Sequence, residues 1–342
     1  MSDDSPILGA GPLGMHFQTQ DPFLFCAYHR DDFPAGEESQ GPDPKLLRGR
    51  DIGMDFGRQD GWSMYHGDVV PGFPQHPHRG FETITVTRKG YCDHADSLGA
   101  TARFGPGDGQ WMTAGKGIVH SEMFPLRKRD ADNPLELFQI WLNLPAKGKL
   151  VPPHFTMLWR EETPVHRLED AEGRTTTLTT FVGAYAGVAP TPPPPDSWAA
   201  HPDAHVAVWA LDMAPGARFT LPAGPAEANR SLYFHAGTDL EIAGLRSPVP
   251  AQVFLRPDVD VPLVAGPSGA ELLLLQGKPI GEPVAHHGPF VMNSRAELQE
   301  AFMEYQRTQF GGWPWEREGI VHLRSQGRFA KHADGRVEER GD

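Results

Sequence analysis

Two short patterns constrain this chain more than any others: His76-Pro77-His78 and His120-Ser121-Glu122. Residues i and i+2 of a β-strand point to the same face. His76 and His78 therefore share one face of one strand, and His120 and Glu122 one face of another. Between them run short apolar stretches broken by glycines, such as Pro106-Gly107-Asp108-Gly109 and Ala114-Gly115-Lys116-Gly117. If the two strands are neighbours in a small barrel, three imidazoles and a carboxylate converge on one point. That donor set suits a first-row divalent metal: Fe(II), Ni, Cu, Mn or Zn.

Short strands at short spacing recur along the chain. Phe23–Tyr28, Trp62–His66, Phe81–Thr87, Gln110–Thr113, Ile118–Met123 and residues 137–144 all read as β by propensity or alternation. The chain has 38 glycines and 34 prolines in 342 residues, and no long helical pattern before its last fifth. These features predict an all-β protein of jelly-roll or barrel type.

A stiff, proline-rich segment, residues 189–198, divides the chain, and the strand pattern restarts beyond it at 205–213, 218–221, 231–234, 252–255 and 271–276. The expected order is an arm (1–20), a metal-binding domain (21–188), the linker, a second β-domain (199–285), and a helix and tail (286–342). The helix is signalled by the capping box Ser294-Arg295-Ala296-Glu297 and the apolar stripe Leu298, Ala301, Phe302 and Tyr305, with Gly311-Gly312 expected to stop it. Trp313-Pro314-Trp315 is expected to dock on a neighbouring domain, and the charged residues after 325 to be loosely held.

Composition excludes some partners. Acids outnumber bases by 44 to 31, a net charge of −13, which argues against direct binding to nucleic acid or to an anionic membrane. It leaves protein partners open, and Leu126-Arg127-Lys128-Arg129 is a basic run close to the second ligand pair. Such a run is more often a solvated turn than a contact. Two cysteines, Cys26 and Cys92, imply no disulfide framework. With no secretory pattern at the start and no apolar run of membrane length, the expectation is a soluble, cytoplasmic protein.

Glu82 competes for the fourth ligand position. It lies four residues beyond His78, on the same face if one strand runs through both, although Gly80 could mark a bulge that turns it away. Glu122 is preferred because His120 and Glu122 mirror the His76/His78 spacing, which leaves Glu82 beside the ligands or simply paired. Four protein ligands leave two open places on an octahedral metal, and open places mean catalysis or sensing. Either glutamate is then a candidate general base. Phe73, Phe81, Trp111 and Met112 are candidates for an apolar pocket wall, although core is the commoner fate of each.

The longer stretches His76-Pro77-His78-Arg79-Gly80-Phe81-Glu82-Thr83, Asp96-Ser97-Leu98-Gly99 and 110–122 (QWMTAGKGIVHSE) resemble the signature of the pirin family, within the cupin superfamily. Gly281-Glu282-Pro283-Val284 and Gly288-Pro289-Phe290-Val291-Met292-Asn293 extend the resemblance into the tail. It implies two cupin barrels in tandem with a C-terminal helix, the first holding one metal, usually iron, on His76, His78, His120 and Glu122. The second typically has no metal; here that part has no His-x-His, His235 stands alone, and the adjacent His286-His287 diverge. Some pirins resemble quercetin 2,3-dioxygenase, which opens a flavonol ring with O2 and would take a small aromatic substrate. Others act as redox-sensitive iron proteins that bind a transcription regulator or a metabolic enzyme.

Overall fold

The computed structural model describes residues 5–342. The chain divides into two compact units. One comprises the N-terminal segment to Ala27, Ile140–Asn143 and Arg160–Gly281. The other comprises Tyr28–Gln139, Leu144–Trp159 and Glu282–Asp342.

The first unit is a sandwich of a large and a small sheet. The large sheet runs in the order Ile7–Pro12, Ala251–Leu255, Asn229–Gly237, Ala270–Gly277, Ala207–Met213, Thr175–Val182 and Val165–Glu169. Ile7–Pro12, within the stretch read as an arm, is an edge strand antiparallel to Ala251–Leu255. Residues 165–182 join this unit because Thr176–Val182 pairs with Val208–Met213. The interior is apolar: Leu178, Leu211, Leu232, Phe234, Leu272 and Leu274 meet Val261 and Leu263 of the small sheet.

The second unit contains both candidate ligand pairs. In this unit one sheet runs His154–Leu158, Gly109–Thr113, Phe81–Lys89, then residues 133–139 and 28–33. The other runs Val337–Glu339, Phe329–Lys331, Thr101–Phe104, Cys92–Asp96, Ile118–Met123, Gly72–His78. Phe33, Trp62, Phe104, Met112, Leu137 and Trp159 pack in its core.

Several expectations are corrected here. Trp62–His66 is not a strand. Tyr65 takes a left-handed φ of 58°, which breaks alternation. Side chains take two of the segment's N–H groups: Ser63 N donates to Asp31 at 3.0 Å and Met64 N to Asp55 at 2.9 Å. Nor does one strand carry both His78 and Glu82. The chain changes sheet at Arg79-Gly80, where Gly80 has φ 85° and a Cβ would meet the Val291 carbonyl oxygen at 1.9 Å.

The tail is built in as well. Ser294 and Glu297 form the capping box, and the helix spans Arg295–Thr308, ending ahead of the glycine pair with Gln309 left-handed. Its stripe packs on Phe290 and Met292. Beyond it, Phe329–Lys331 extends the second sheet along Thr101–Arg103, and Arg328, nearly inaccessible to solvent, pairs with Asp108 at 2.8 Å. The end of the chain is thus an ordered part of the second unit. No helix among the described residues is long and apolar enough to cross a membrane.

Candidate metal centre

The centre rests on a pairing of two antiparallel strands. Gly72–His78 lies at the sheet edge beside Ile118–Met123, with Phe73 opposite Glu122, His76 opposite His120 and His78 opposite Ile118. The register shifts between Phe73 and His76, where a bulge adds one residue to the histidine strand. Residues directly opposite share a face. The bulge therefore brings His76 and His78 to the face that carries His120 and Glu122.

On that face the ring centroids of His76 and His120 are 4.4 Å apart, and those of His78 lie 4.8 Å from each. One ring nitrogen from each of the three histidines lies within 4.8 Å of the other two. Glu122 Oε2 is 4.0 Å from His120 Nε2. His120 is fully buried, His78 and Glu122 nearly so, and His76 half-buried, so the centre meets solvent on the His76 side.

Protonation and hydrogen bonding both suit a cation. Burial lowers the His76 pKa to about 4 against a partial opposing effect of the Pro74 carbonyl, and holds His78 and His120 well below the usual histidine value. Neutral imidazoles present lone pairs at neutral pH. Pro74 O stands 2.8 Å from His76 Nδ1, which fixes the hydrogen there and leaves Nε2 as the donor to a metal. Neither ring nitrogen of His120 has a hydrogen-bond partner among the described residues. Buried polar atoms are rarely left so, and an ion answers the deficit. The Glu122 pKa is raised by burial, against the opposing effects of His94, Thr85 and Gln139. The residues present fit a divalent first-row metal.

Glu82 is buried in the neighbouring sheet, where its Oε1 accepts a hydrogen bond from Thr113 at 2.6 Å. Of the four candidate wall residues, Phe81, Trp111 and Met112 are wholly buried core. Phe73 alone is partly exposed, 6.2 Å from His76 in an edge-on contact and stacked on Tyr65 at 5.2 Å.

Sequence reading missed four neighbours. His94 lies opposite Glu122 and Asp96 opposite His120, so both share the ligand face. His94 Nε2 is 3.3 Å from Asp96 Oδ2. Their i, i+2 spacing in Cys92–Asp96 was a legible signal. Thr85 and Gln139, which contact Glu122, gave none.

The tail borders the centre. Gln75 N donates to Glu318 O at 2.8 Å along the open edge of the histidine strand, and Trp315 Nε1 donates to Asp96 O at the same distance. Trp315 thus docks within its own unit. Arg127, in the basic run, donates to Arg324 O at 3.1 Å and pairs with Asp342 at 2.8 Å, so the chain itself occupies that cation.

Two cupin units, one of which holds a buried three-histidine cluster with a glutamate beside it, define the class: a bicupin with a candidate metal centre. Residues 11–142 match the family model described as Pirin, and 208–311 the Pirin C-terminal cupin domain. The chain belongs to the pirin family. It is 37% identical over 243 residues to a Pseudomonas aeruginosa protein named "Putative quercetin 2,3-dioxygenase", covering 70% of this chain and 79% of that one. It is 32% identical over 257 residues to human pirin, covering 72% and 80%. A quercetin 2,3-dioxygenase structure from Acinetobacter baumannii shares the fold, with a TM-score of 0.69 at 24% identity over 90% of this chain and 98% of that one.

Proposed function

We propose that this protein is a metal-dependent dioxygenase of the quercetin 2,3-dioxygenase type, with His76, His78, His120 and Glu122 as ligands of one divalent metal, Fe(II) foremost. The observation that carries the reading is the fully buried His120, with both ring nitrogens unpartnered, facing His76 and His78. The name given to the Pseudomonas relative supports the choice of reaction.

A bound metal would supply Lewis-acid and template chemistry towards an enolic hydroxyl and O2. The chain's own residues do the rest. Burial keeps the three imidazoles neutral, so they hold the cation without first losing protons. Glu122 accepts the proton of a flavonol 3-hydroxyl on a carboxylate oxygen. Glu82 is the reserve candidate for the same role. Phe73, partly exposed beside the half-buried His76, is an apolar neighbour for a planar substrate.

Oxygen uptake by anaerobically Fe(II)-loaded protein given quercetin, with His120→Ala as control, tests the reading. Uptake that the variant loses supports it. A protein that holds one metal per chain and takes up no oxygen is better read as a metal-sensing protein that binds a regulator or an enzyme.

A further inference from the structure

Glu122 reaches across the barrel to two residues of the opposite sheet. Thr85 comes from Phe81–Lys89 and Gln139 from Asn133–Asn143, which are adjacent strands. Gln139 Nε2 donates to Glu122 Oε2 at 2.8 Å. The Thr85 hydroxyl hydrogen is shared between Glu122 Oε1 at 3.0 Å and Gln139 Oε1 at 2.5 Å. Oε2 thus has an amide donor and Oε1 a share of the one Thr85 hydrogen, and the two donors are tied to each other. Thr85 and Glu122 are almost completely buried, so water does not readily replace the bond between them, while Gln139 is half-buried.

Hydrogen bonds to an ionised carboxylate are directional and about twice as strong as neutral ones. A carboxylate that grips an ion with both oxygens must turn both towards it. Here that turn would break at least one donor contact inside the barrel. Binding through Oε2 alone can leave the Thr85 contact of Oε1 inside the barrel in place. Ligand atoms about 2.1 Å from one ion stand at most about 4.2 Å apart, and Oε2 is already 4.0 Å from His120 Nε2.

We propose that Thr85 and Gln139 are positioning residues that restrict Glu122 to a single-oxygen ligand and so keep one coordination place free for substrate. The inference rests on the reading of Glu122 as a ligand. If the pair only satisfied a buried carboxylate, its loss would cost stability and leave the coordination sphere alone.

The test loads the full chain with Co(II) and titrates it with azide, read by visible absorption, which reports coordination number. Thr85→Val and Gln139→Leu are expected to keep one cobalt per chain and to bind azide roughly tenfold more weakly, the scale of effects beyond the first ligands. Thr85→Ser, which keeps the hydroxyl, is expected to match the wild type. Unchanged azide binding in both variants at full occupancy overturns the inference. So does loss of cobalt from both, or a wild type that binds no azide. Glu122→Gln separates the two levels. If it leaves the wild-type cobalt spectrum unaltered, the ligand reading itself fails. If it alters the spectrum while Thr85→Val and Gln139→Leu bind azide normally, only the clamp fails.

Discussion

His76 stands directly opposite His120 across two antiparallel strands, and it does so because one extra residue is accommodated between Phe73 and His76. Strand side chains alternate with a period of two, so a slip of one residue moves a whole set to the other face. The bulge converts two separate i, i+2 pairs into one cluster.

Deleting Gln75 should therefore act like removal of the ligands. The expected outcome is a folded chain with almost no bound metal, read by elemental analysis alongside circular dichroism. Full metal occupancy in the deletion variant would show that the register does not control the site.

Metal should stabilise the wild type and not His120→Ala. A ligand at a hundred times its Kd adds about 2.7 kcal/mol. Differential scanning fluorimetry with Ni(II) or anaerobic Fe(II) is expected to raise the wild-type melting temperature and leave that of the variant in place. Equal shifts in both would place the metal elsewhere.

The two glutamates should separate by function. Glu122→Gln is expected to weaken metal binding, whereas Glu82→Gln, whose carboxylate is occupied by Thr113, is expected to retain one metal per chain. Competition against a chelator would rank them, and the reverse order would exchange their roles.

Asp31 should make stability pH-dependent. Burial raises its pKa from 3.8 to about 6, despite hydrogen bonds from Tyr65 and Ser63. The folded state therefore binds more protons than the unfolded chain between those values. This contribution is full below pH 3.8 and is lost as the pH rises through about 6. Asp31→Asn should show a flatter dependence of its urea midpoint over that window, and parallel curves for the two proteins would refute the assignment.

Arg103 should hold the tail. Its guanidinium pairs with Asp93 at 2.6 Å, both side chains fully buried, and also donates to the carbonyls of His322, Leu323 and Gln326. Arg103→Leu leaves the Asp93 charge buried without that partner and should cost about 3–5 kcal/mol. Limited proteolysis should then cut within residues 315–330, and a protease-resistant tail would contradict this role.

The sequence by itself determined the β-rich character, the capped helix and the two His-x-His and His-x-Glu pairs. These depend on local spacing: a period of two for the strands, a period near four for the helix stripe, and a Ser-x-x-Glu cap. The histidine motif with its glycine-rich surroundings also sufficed to point to the pirin family. Tertiary structure decided the rest. Residues 7–12 and 165–182 take their places in one sheet through pairing with strands far along the chain, which no local pattern encodes. The charged end of the chain orders because Arg103 and Arg328 find buried carboxylates and carbonyls from distant segments. Thr85 and Gln139 were silent in the sequence because they reach Glu122 from the opposite sheet, 37 and 17 residues away. Short-range periodicity sets which face a side chain takes, but only the closed barrel sets what that face meets.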